Sequence, residues 1–266
     1  MKYFRFLLII YFYLYLYLIS CTDQEDNTLN KIKDADQGGV VLTFDDDYVD
    51  EWFNVNIKLK QYNWKGTFYI THFNKLSENQ IQELNYLQRN GNEIAAHGLS
   101  HVHTVKFIKQ FGQKVFISKQ VLPMLDLMKK KGLKITDFSY PYGERNIESD
   151  TLLFEHFKML RGTTYGKEPP QFQNCYYENK SLIFGLGLDN SYSHFDIPYF
   201  ISLLQYAKEH NKIVIFYAHK TVLKSNNKYE TEFKTLEEVC KFVKNNKMKF
   251  YTVADLQKLN NQKTLN

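Results

Sequence analysis

The chain contains one short stretch in which an apolar run ends abruptly on three carboxylates, Val40-Val41-Leu42-Thr43-Phe44-Asp45-Asp46-Asp47. The run up to Phe44 has the length and composition of a buried strand. Three adjacent like charges repel one another, and a protein tolerates them mainly where a cation or a proton offsets the charge. The alternative is a solvated acidic turn that caps a helix beginning near Tyr48. The stretch alone leaves both interpretations open.

Outward from this stretch, segments typical of strands and of helices alternate along the chain. Strands are predicted at 39–44, 66–70, 93–96, 137–140, 158–161, 182–188, 213–218 and 250–252. Helices are predicted at 48–62, 77–90, 104–131, 146–156, 198–210 and 235–245, with Pro123 breaking or kinking the longest one. This alternation predicts parallel βαβ units, and seven or eight repeats favour a closed barrel over an open doubly wound sheet. No glycine-rich phosphate loop follows the first strand, which disfavours nucleotide binding.

The composition excludes a generally disordered chain. Of 266 residues, 44% are hydrophobic, which is ample for a buried core. The net charge is +5, but the basic residues are scattered and the longest run is Lys129-Lys130-Lys131. Nucleic acid is therefore not expected among the partners.

The first 20 residues have the order of a secretory signal. Lys2 and Arg5 precede an apolar run of 14 residues that ends at Ile19, too short for a comfortable membrane span. The end of this run, Leu18-Ile19-Ser20-Cys21, resembles the bacterial lipobox, which implies acylation at Cys21. An uncleaved anchor is the alternative. We expect an extracytoplasmic protein held to the cell envelope, in the outer membrane, by its N-terminal lipid.

The rest of the chain divides into a tether and one domain. Residues 21–38 are polar and lack an apolar period, which predicts a flexible tether. Residues 39–259 are predicted to form the barrel, and residues 260–266 a C-terminal tail. Cys175 and Cys240 remain in the domain. The envelope permits a disulfide between them, although buried free thiols are the alternative.

Polar residues follow the predicted strands at several points. The Asp45–Asp47 triplet follows the first strand, His97 the third, Tyr142 the fourth, Asp189 the sixth and His219 the seventh. In parallel α/β folds the carboxyl ends of the strands share one rim, where the chemistry gathers. We therefore expect these side chains on a single barrel rim.

A pair of histidines, His97 and His101, lies at a spacing of four. On one face of a helical turn this spacing would bring both imidazoles close enough to share a metal ion. Two histidines and one carboxylate form a known open-site ligand set for zinc and related divalent ions. The pair and the acidic triplet together predict a metal site.

The residues above resemble the motifs of the polysaccharide deacetylase family, also called the NodB-homology or carbohydrate esterase family 4 group. The first motif, T-F-D-D, appears at 43–46, and the second, H-[ST]-x-[ST]-H, is represented by His97-Gly98-Leu99-Ser100-His101, with Gly98 at the first [ST] position. The third, R-x-P-Y, appears in part as Ser139-Tyr140-Pro141-Tyr142, and the fifth, an apolar strand ending in His, at 215–219. The resemblance spans residues 39 to about 252.

This resemblance implies a distorted (β/α) barrel with seven or eight mostly parallel strands. It also implies a metal-dependent hydrolase that removes N-acetyl, or in some cases O-acetyl, groups from a polysaccharide or oligosaccharide. The implied metal is Zn²⁺, with Co²⁺ or Ni²⁺ as alternatives. The implied roles are metal ligation for Asp46, His97 and His101, general base for Asp45, general acid for His219 and an oxyanion-binding N–H for Tyr142.

The chain departs from the family pattern at three places. Ser139 stands where the family has the arginine that orients the base, and Arg161 is a candidate replacement, with an ordinary salt bridge as the alternative. The fourth motif is not recognisable; Asp189 could orient His219 or simply form a turn. Asp47 replaces a usual glycine and could cap the next helix or support the metal site.

Two other functions are compatible with these departures. One is a glycan-binding barrel that has lost efficient catalysis. The other is a metal-dependent amidase or esterase that acts on a non-sugar acetyl group on the same scaffold.

Overall fold

The computed structural model describes residues 38–263. Seven parallel strands form a barrel: β1 (Gly39–Asp46), β2 (Gly66–Ile70), β3 (Glu93–Ala96), β4 (Asp137–Ser139), β5 (Met159–Thr164), β6 (Leu182–Gly187) and β7 (Ile213–Ala218). β1 pairs in parallel with both β2 and β7, which closes the barrel. The predicted (β/α) barrel is confirmed, and the open-sheet alternative is wrong. The barrel is distorted at β4, which meets β3 through the single pair Ala96–Phe138.

Three further strands accompany the barrel. β10 (Lys249–Tyr251) pairs with the first three residues of β1, where β2 does not reach, and makes the sheet eight-stranded. β8 (Lys220–Val222) and β9 (Glu230–Glu232) form a separate two-stranded ribbon beyond β7. This ribbon was not predicted, because its strands are only three residues long and carry no apolar alternation.

Helices surround the barrel. They are α1 (Val49–Lys58), α2 (Glu78–Arg89), α3 (Thr104–Phe111), α4 (Gln113–Phe116), α5 (Leu122–Lys130), α6 (Ile147–Phe154), α7 (Ile197–Glu209), α8 (Phe233–Asn245) and α9 (Val253–Lys263). Ser77 caps α2 in a capping box. α9 continues past residue 259, so the boundary expected there falls inside a helix.

The long helix predicted at 104–131 is interrupted in two places. Gly112 ends α3 with a φ of 86°, which a glycine adopts without steric cost. A π-helical turn, Ile117–Val121, then joins α4 to α5, and Pro123 lies in the first turn of α5, where its missing N–H costs nothing. The prediction of a break at Pro123 alone was therefore incomplete.

The pleat of β1 separates the two sides of the barrel wall. Val40, Leu42 and Phe44 belong to the large apolar cluster that includes the surrounding helices, whereas Val41 packs with Tyr69 in the smaller apolar cluster. Side chains alternate along a strand, so the positions of odd number face the barrel interior. Asp45 therefore follows Val41 into the interior, while Asp46, with a φ of 90°, leaves the regular alternation at the end of the strand.

Cys175 and Cys240 are both buried and free, so the disulfide considered from the sequence is absent among the described residues. No helix within residues 38–263 combines the length and the apolar character needed to cross a membrane. The predicted signal peptide, Cys21 and residues 21–37 of the tether lie outside the described residues.

Two buried carboxyl groups meet at the amino ends of β3 and β4. Glu93 accepts hydrogen bonds from Thr67 Oγ1 at 2.9 Å and from the Ala254 N–H at 2.8 Å, and its other neighbour is the Asp137 carboxyl group. Burial, followed by the charge of Asp137, raises the pKa of Glu93 well above its usual value. The raised pKa favours the protonated form of Glu93, whose hydrogen bonds link β3 to the start of α9.

Replacing Glu93 by glutamine is expected to stabilise the protein at alkaline pH. The folded-state pKa is raised, so the wild type loses stability as pH rises from the unfolded pKa through the folded one. Glutamine keeps a hydrogen-bond acceptor and a donor at position 93, and because it does not ionise it avoids this loss of stability at high pH. Urea unfolding should show a gain on the order of 1 kcal/mol at pH 8 that disappears near pH 4. The exposed control Glu155→Gln should change nothing, and a gain independent of pH would contradict the assignment.

Candidate metal centre and catalytic cleft

Asp45 and Asp46, at the end of β1, differ in burial but line the same cleft. Asp45 is 3% exposed and faces the barrel interior, whereas Asp46 lies at the rim. Asp46 has a φ of 90°, a backbone conformation that non-glycine residues rarely adopt and that is common at functional sites. β1 ends at this residue, and its backbone carbonyl accepts a hydrogen bond from Thr71 N–H at 3.0 Å.

The segment from His97 to His101 is an irregular loop between β3 and α3, so the helical turn expected from the spacing is wrong. Gly98 and His101 both have positive φ, at 76° and 49°, and these reversals bring the two imidazole rings to 4.9 Å. The π-helical turn holds the loop: Leu99 N–H donates to the Gln120 carbonyl at 3.2 Å and Ser100 N–H to Gln120 Oε1 at 3.0 Å. Nothing in the sequence marked Gln120 for this role.

Asp46, His97 and His101 converge on one point. Asp46 Oδ1 lies 3.1 Å from His101 Nε2 and 3.7 Å from His97 Nε2, and one ligand atom from each residue lies within 4.8 Å of the others. His97 Nδ1 is 2.9 Å from the Ser139 carbonyl, to which it donates, leaving Nε2 with its lone pair. The three predicted metal ligands are thus brought together.

The electrostatics of the triad suit a cation. Burial lowers the pKa of His97 to about 4, so its imidazole is neutral and able to ligate. Burial acts to raise the pKa of Asp46, but contact with His101 and the charges of the neighbouring histidines outweigh it and hold this pKa well below its usual range. Asp46 Oδ1 is buried yet accepts no well-directed hydrogen bond. An ionised, unsatisfied carboxylate oxygen facing two imidazoles fits a divalent metal ion.

Asp45 is paired with Arg161 inside the barrel. Arg161 Nη2 donates to both carboxylate oxygens of Asp45, and both side chains are almost wholly buried. The guanidinium lies between the rings of Tyr69 and Tyr217, 5.2 Å from each ring centre. Arg161 on β5 lies directly opposite Ser139 on β4. The family motif has its arginine on β4, at the position of Ser139. In this chain the arginine next to Asp45 comes instead from the adjacent strand, β5.

Asp189 contacts His219. Asp189 Oδ2 lies 2.6 Å from His219 Nδ1, and Asp189 Oδ1 accepts hydrogen bonds from Thr231 Oγ1 at 2.5 Å and from the His219 N–H at 3.2 Å. Burial disfavours the imidazolium, but the hydrogen bond and charge of Asp189 outweigh it and raise the pKa of His219 to about 9. Thr231 lies on the unpredicted β9, so sequence reasoning missed it.

Tyr142 lies in a strained turn, Pro141–Gly143, that follows β4. Its φ is 62°, and the φ of Gly143 is 66°. A Cβ on Gly143 would lie 2.0 Å from Thr163 Oγ1, so only glycine fits there. The Tyr142 ring stacks on His103 with the ring centres 3.8 Å apart and lies 4.5 Å from the His101 ring. The turn thus places Tyr142 beside the metal triad.

Asp47 does not cap a helix. The N-cap of α1 is Tyr48, which has no side-chain cap, and the Asp47 carboxylate instead lies 3.1 Å from His72 Nδ1. The capping interpretation was wrong because the turn after β1 directs Asp47 towards the loop that follows β2.

A cleft of about 320 Å³ contains the metal triad, Asp45 and His219, and five tyrosines contribute to its walls. A larger cavity of about 540 Å³ lies at the opposite end of the strands, near Trp64 and Phe250, and its lining contains no comparable group of acidic and histidine residues. The chemistry-bearing residues predicted from the sequence therefore share one rim of the barrel.

Comparison with known proteins gives a family match over part of the chain. Residues 32–155 match the family model for polysaccharide deacetylase. This range includes the metal triad, Asp45 and Tyr142, but ends before Arg161, Asp189 and His219. No curated protein sequence matches the chain.

Solved structures share the fold across most of the described barrel. Peptidoglycan deacetylase PdaC from Bacillus subtilis is 18% identical with a TM-score of 0.56, and the match covers 86% of this chain and 95% of that chain. The Xyl-CE4 domain of a multidomain xylanase from the hindgut metagenome of Trinervitermes trinervoides is 17% identical with a TM-score of 0.53, covering 83% and 89%. A CE4 family pseudoenzyme from Bacillus anthracis is 13% identical with a TM-score of 0.55, covering 83% and 66%. The barrel therefore shares its fold with these structures.

Proposed function

We propose that this chain is a metal-dependent carbohydrate deacetylase of the polysaccharide deacetylase family. The observation that carries the proposal is the convergence on one cleft of Asp46, His97 and His101 with Asp45 and His219. Hydrolysis of an acetamide requires an activated water, a stabilised oxyanion and a protonated leaving amine. The five residues and the Tyr142 turn supply a candidate for each requirement.

Asp46, His97 and His101 would hold a divalent ion, with Zn²⁺ the first choice and Co²⁺ or Ni²⁺ the alternatives. Such an ion lowers the pKa of a water molecule towards ~7 and polarises a carbonyl group. Two imidazoles and one carboxylate leave open positions for solvent and substrate.

The proton transfers fall to the chain's own side chains. Asp45, held by Arg161, takes the proton of the attacking water. Tyr142 N–H donates to the acetyl oxygen as it gains negative charge. His219, which Asp189 keeps protonated, delivers a proton to the leaving amine. Acetate leaves, and the sugar retains a free amine or, for an ester, a free hydroxyl group.

We also propose that the protein acts outside the cytoplasm, anchored to the outer membrane through a lipid on Cys21. The support is the order of basic, apolar and small residues at the N-terminus of the sequence. The acetylated glycan would then be reached in the cell envelope or beyond it.

A catalytically inactive, glycan-binding barrel is the second candidate. A pseudoenzyme has the same fold, so the fold does not separate the two. The observations that favour the enzyme are the complete metal triad, the Asp45–Arg161 pair in spite of Ser139, and the Asp189–His219 pair in spite of the unrecognisable fourth motif.

An acetate-release screen separates the candidates. Purified protein is stripped with a chelator, reloaded with zinc, cobalt or nickel, and incubated with acetylated chito-oligosaccharides, peptidoglycan and acetylated xylan. The enzyme should release acetate only when reloaded, and the stripped protein should match the blank. Binding of glycans without acetate release, across all substrates and metals, would favour the binding barrel. Release that survives complete removal of the metal would contradict metal dependence.

A further inference from the structure

Resting on the proposed deacetylase function, we infer that the cleft is built for a glycan whose sugars beside the acetylated one carry no charge. A strand with carboxylate-bearing sugars at those positions should be a poor ligand. The inference comes from the exposed tyrosines at the opening of the cleft, Tyr142, Tyr165 and Tyr229, which form the cleft mouth. It also comes from the lack of lysine and arginine among the described residues that line the cleft.

Three half-exposed tyrosines surround the catalytic residues. Tyr142 is 53%, Tyr165 55% and Tyr229 49% exposed, and all three line the cleft. Tyr142 packs beside the metal ligand His101, whereas the Tyr229 ring lies 5.2 Å from the ring of His219. Two tyrosines therefore flank the reaction centre, one next to the metal triad and one next to the proposed acid.

The mouth is arranged before any ligand binds. Thr163 Oγ1 donates to the Tyr165 hydroxyl at 2.9 Å, and Thr163 also lies against Gly143. The loops after β4 and β5 therefore form one continuous wall. On its inner side, the hydroxyl groups of Tyr192 and Tyr217 lie 3.1 Å apart. Rigid aromatic faces bind with little loss of conformational entropy.

No lysine or arginine lines this cleft in the part of the chain that the structure describes. Basic residues close in sequence to the lining are paired or lie outside it: Lys228, next to Tyr229, is exposed but does not line the cleft, and Lys220 lies 3.4 Å from Glu51. Lys167 Nζ lies 2.5 Å from Asp196 Oδ2, Arg145 is paired with Asp150, and Arg161 is fully buried against Asp45. Glu144, next to the Tyr142 turn, adds negative charge, although His103 lies 3.2 Å from it.

These features favour an apolar sugar face and disfavour an anion. Tyrosine rings pack against the C–H face of a pyranose and can still contact its hydroxyl groups. Away from the reaction centre, where the proposed metal ion and the protonated His219 lie, a carboxylate on a neighbouring sugar would lose hydration and find no lysine or arginine in exchange, which costs binding free energy. The acetylated sugar is bound at the centre, so this discrimination acts on its neighbours along the chain.

The charge preference is tested by comparing two linear glycans. Metal-loaded protein is given penta-N-acetylchitopentaose, which is neutral, and peptide-free peptidoglycan strands, in which alternate sugars carry a carboxylate. We expect kcat/KM per acetyl group to be at least ~10-fold higher on the neutral glycan. Equal or faster hydrolysis of the carboxylate-bearing strand would overturn the inference and leave the deacetylase proposal intact.

Calorimetric titration with both glycans accompanies the kinetics. If neither glycan is hydrolysed, the deacetylase proposal has failed for these substrates, and binding alone decides the preference. At least ~5-fold tighter binding of the neutral glycan supports the inference, and equal or tighter binding of the charged strand overturns it.

The contribution of the mouth is tested by substitution. Tyr165→Ala should raise KM for the pentasaccharide about 5–10-fold with kcat within about twofold, whereas Tyr165→Phe, which keeps the ring but loses the hydrogen bond from Thr163, should raise KM less than Tyr165→Ala does. The matched control is Tyr86→Ala, which removes a partly exposed tyrosine on the outer helix α2. An unchanged KM in Tyr165→Ala would show that this ring does not hold the glycan.

Discussion

Replacing Arg161 by methionine is expected to lower the free energy of unfolding by about 3–5 kcal/mol, because the substitution leaves the Asp45 carboxylate buried without its counter-ion. The neighbourhood offers no substitute cation: Tyr69 and Tyr217 flank the guanidinium, and Asp45 is only 3% exposed. Urea unfolding at neutral pH measures the loss. Arg145→Met is the matched control, since its ion pair with Asp150 is partly exposed and should cost less, about 1 kcal/mol.

The double variant Asp45→Asn/Arg161→Met sharpens this prediction. The double variant has neither charge, so no Asp45 carboxylate remains buried without a counter-ion. It should therefore be more stable than Arg161→Met alone. Additive losses would contradict a direct pairing of the two side chains. Activity gives a separate readout. Both single variants should lose kcat, because Asp45→Asn lacks the proposed base and Arg161→Met no longer positions it. The double variant should recover stability without recovering kcat.

The arginine next to Asp45 shows why the sequence predicted the site only in part. The sequence offered Arg161 as one candidate and an ordinary salt bridge as the alternative. Choosing between them requires the register of β4 and β5, which sets Ser139 opposite Arg161. Register depends on how neighbouring strands pack, and that packing involves residues far apart in the sequence.

Local patterns predicted the residues at the barrel rim well. A polar residue directly after an apolar run marks the end of the strand, and the end of the strand places that residue at the rim. The strands at 66–70, 93–96 and 213–218 have the predicted bounds, and the residues after the strands meet in one cleft. Contacts made by isolated polar residues left no such signal. Gln120 reaches the His97–His101 loop through a π-helical turn, and Thr231 reaches Asp189 from a three-residue strand. Both depend on tertiary structure rather than on a periodic pattern.

The acidic triplet, Asp45 to Asp47, contains both features that a local pattern predicts and contacts that depend on the tertiary structure. Composition treats its three members alike, but the alternation of a strand turns Asp45 inward and leaves Asp46 at the rim. Asp47 lies beyond the strand and pairs with His72, which no pattern indicated. The sequence could therefore place the triplet at the end of the first strand, whereas the different surroundings of its three members depend on the fold.

Replacing Asp189 by asparagine is expected to shift the alkaline limb of the kcat profile to lower pH. Asp189 raises the pKa of His219 to about 9, so the proposed acid stays protonated at neutral pH. Asparagine removes the charge, burial then dominates, and the pKa should fall to or below the ordinary value of ~6.5. The wild-type limb is expected at or below pH 9, since a bound divalent cation repels an imidazolium.

The sign of this effect distinguishes a proton donor from a structural histidine. If His219 donates a proton, Asp189→Asn should be most impaired between about pH 7 and pH 9, where the variant is deprotonated and the wild type is not. His219→Gln should lose about 10²–10⁴-fold in kcat and also lose the alkaline limb. A uniform loss at every pH would show that Asp189 acts only by holding the ring in place. Thr231→Val is the matched control, because it removes one hydrogen bond to Asp189 and leaves the charge beside His219 unchanged.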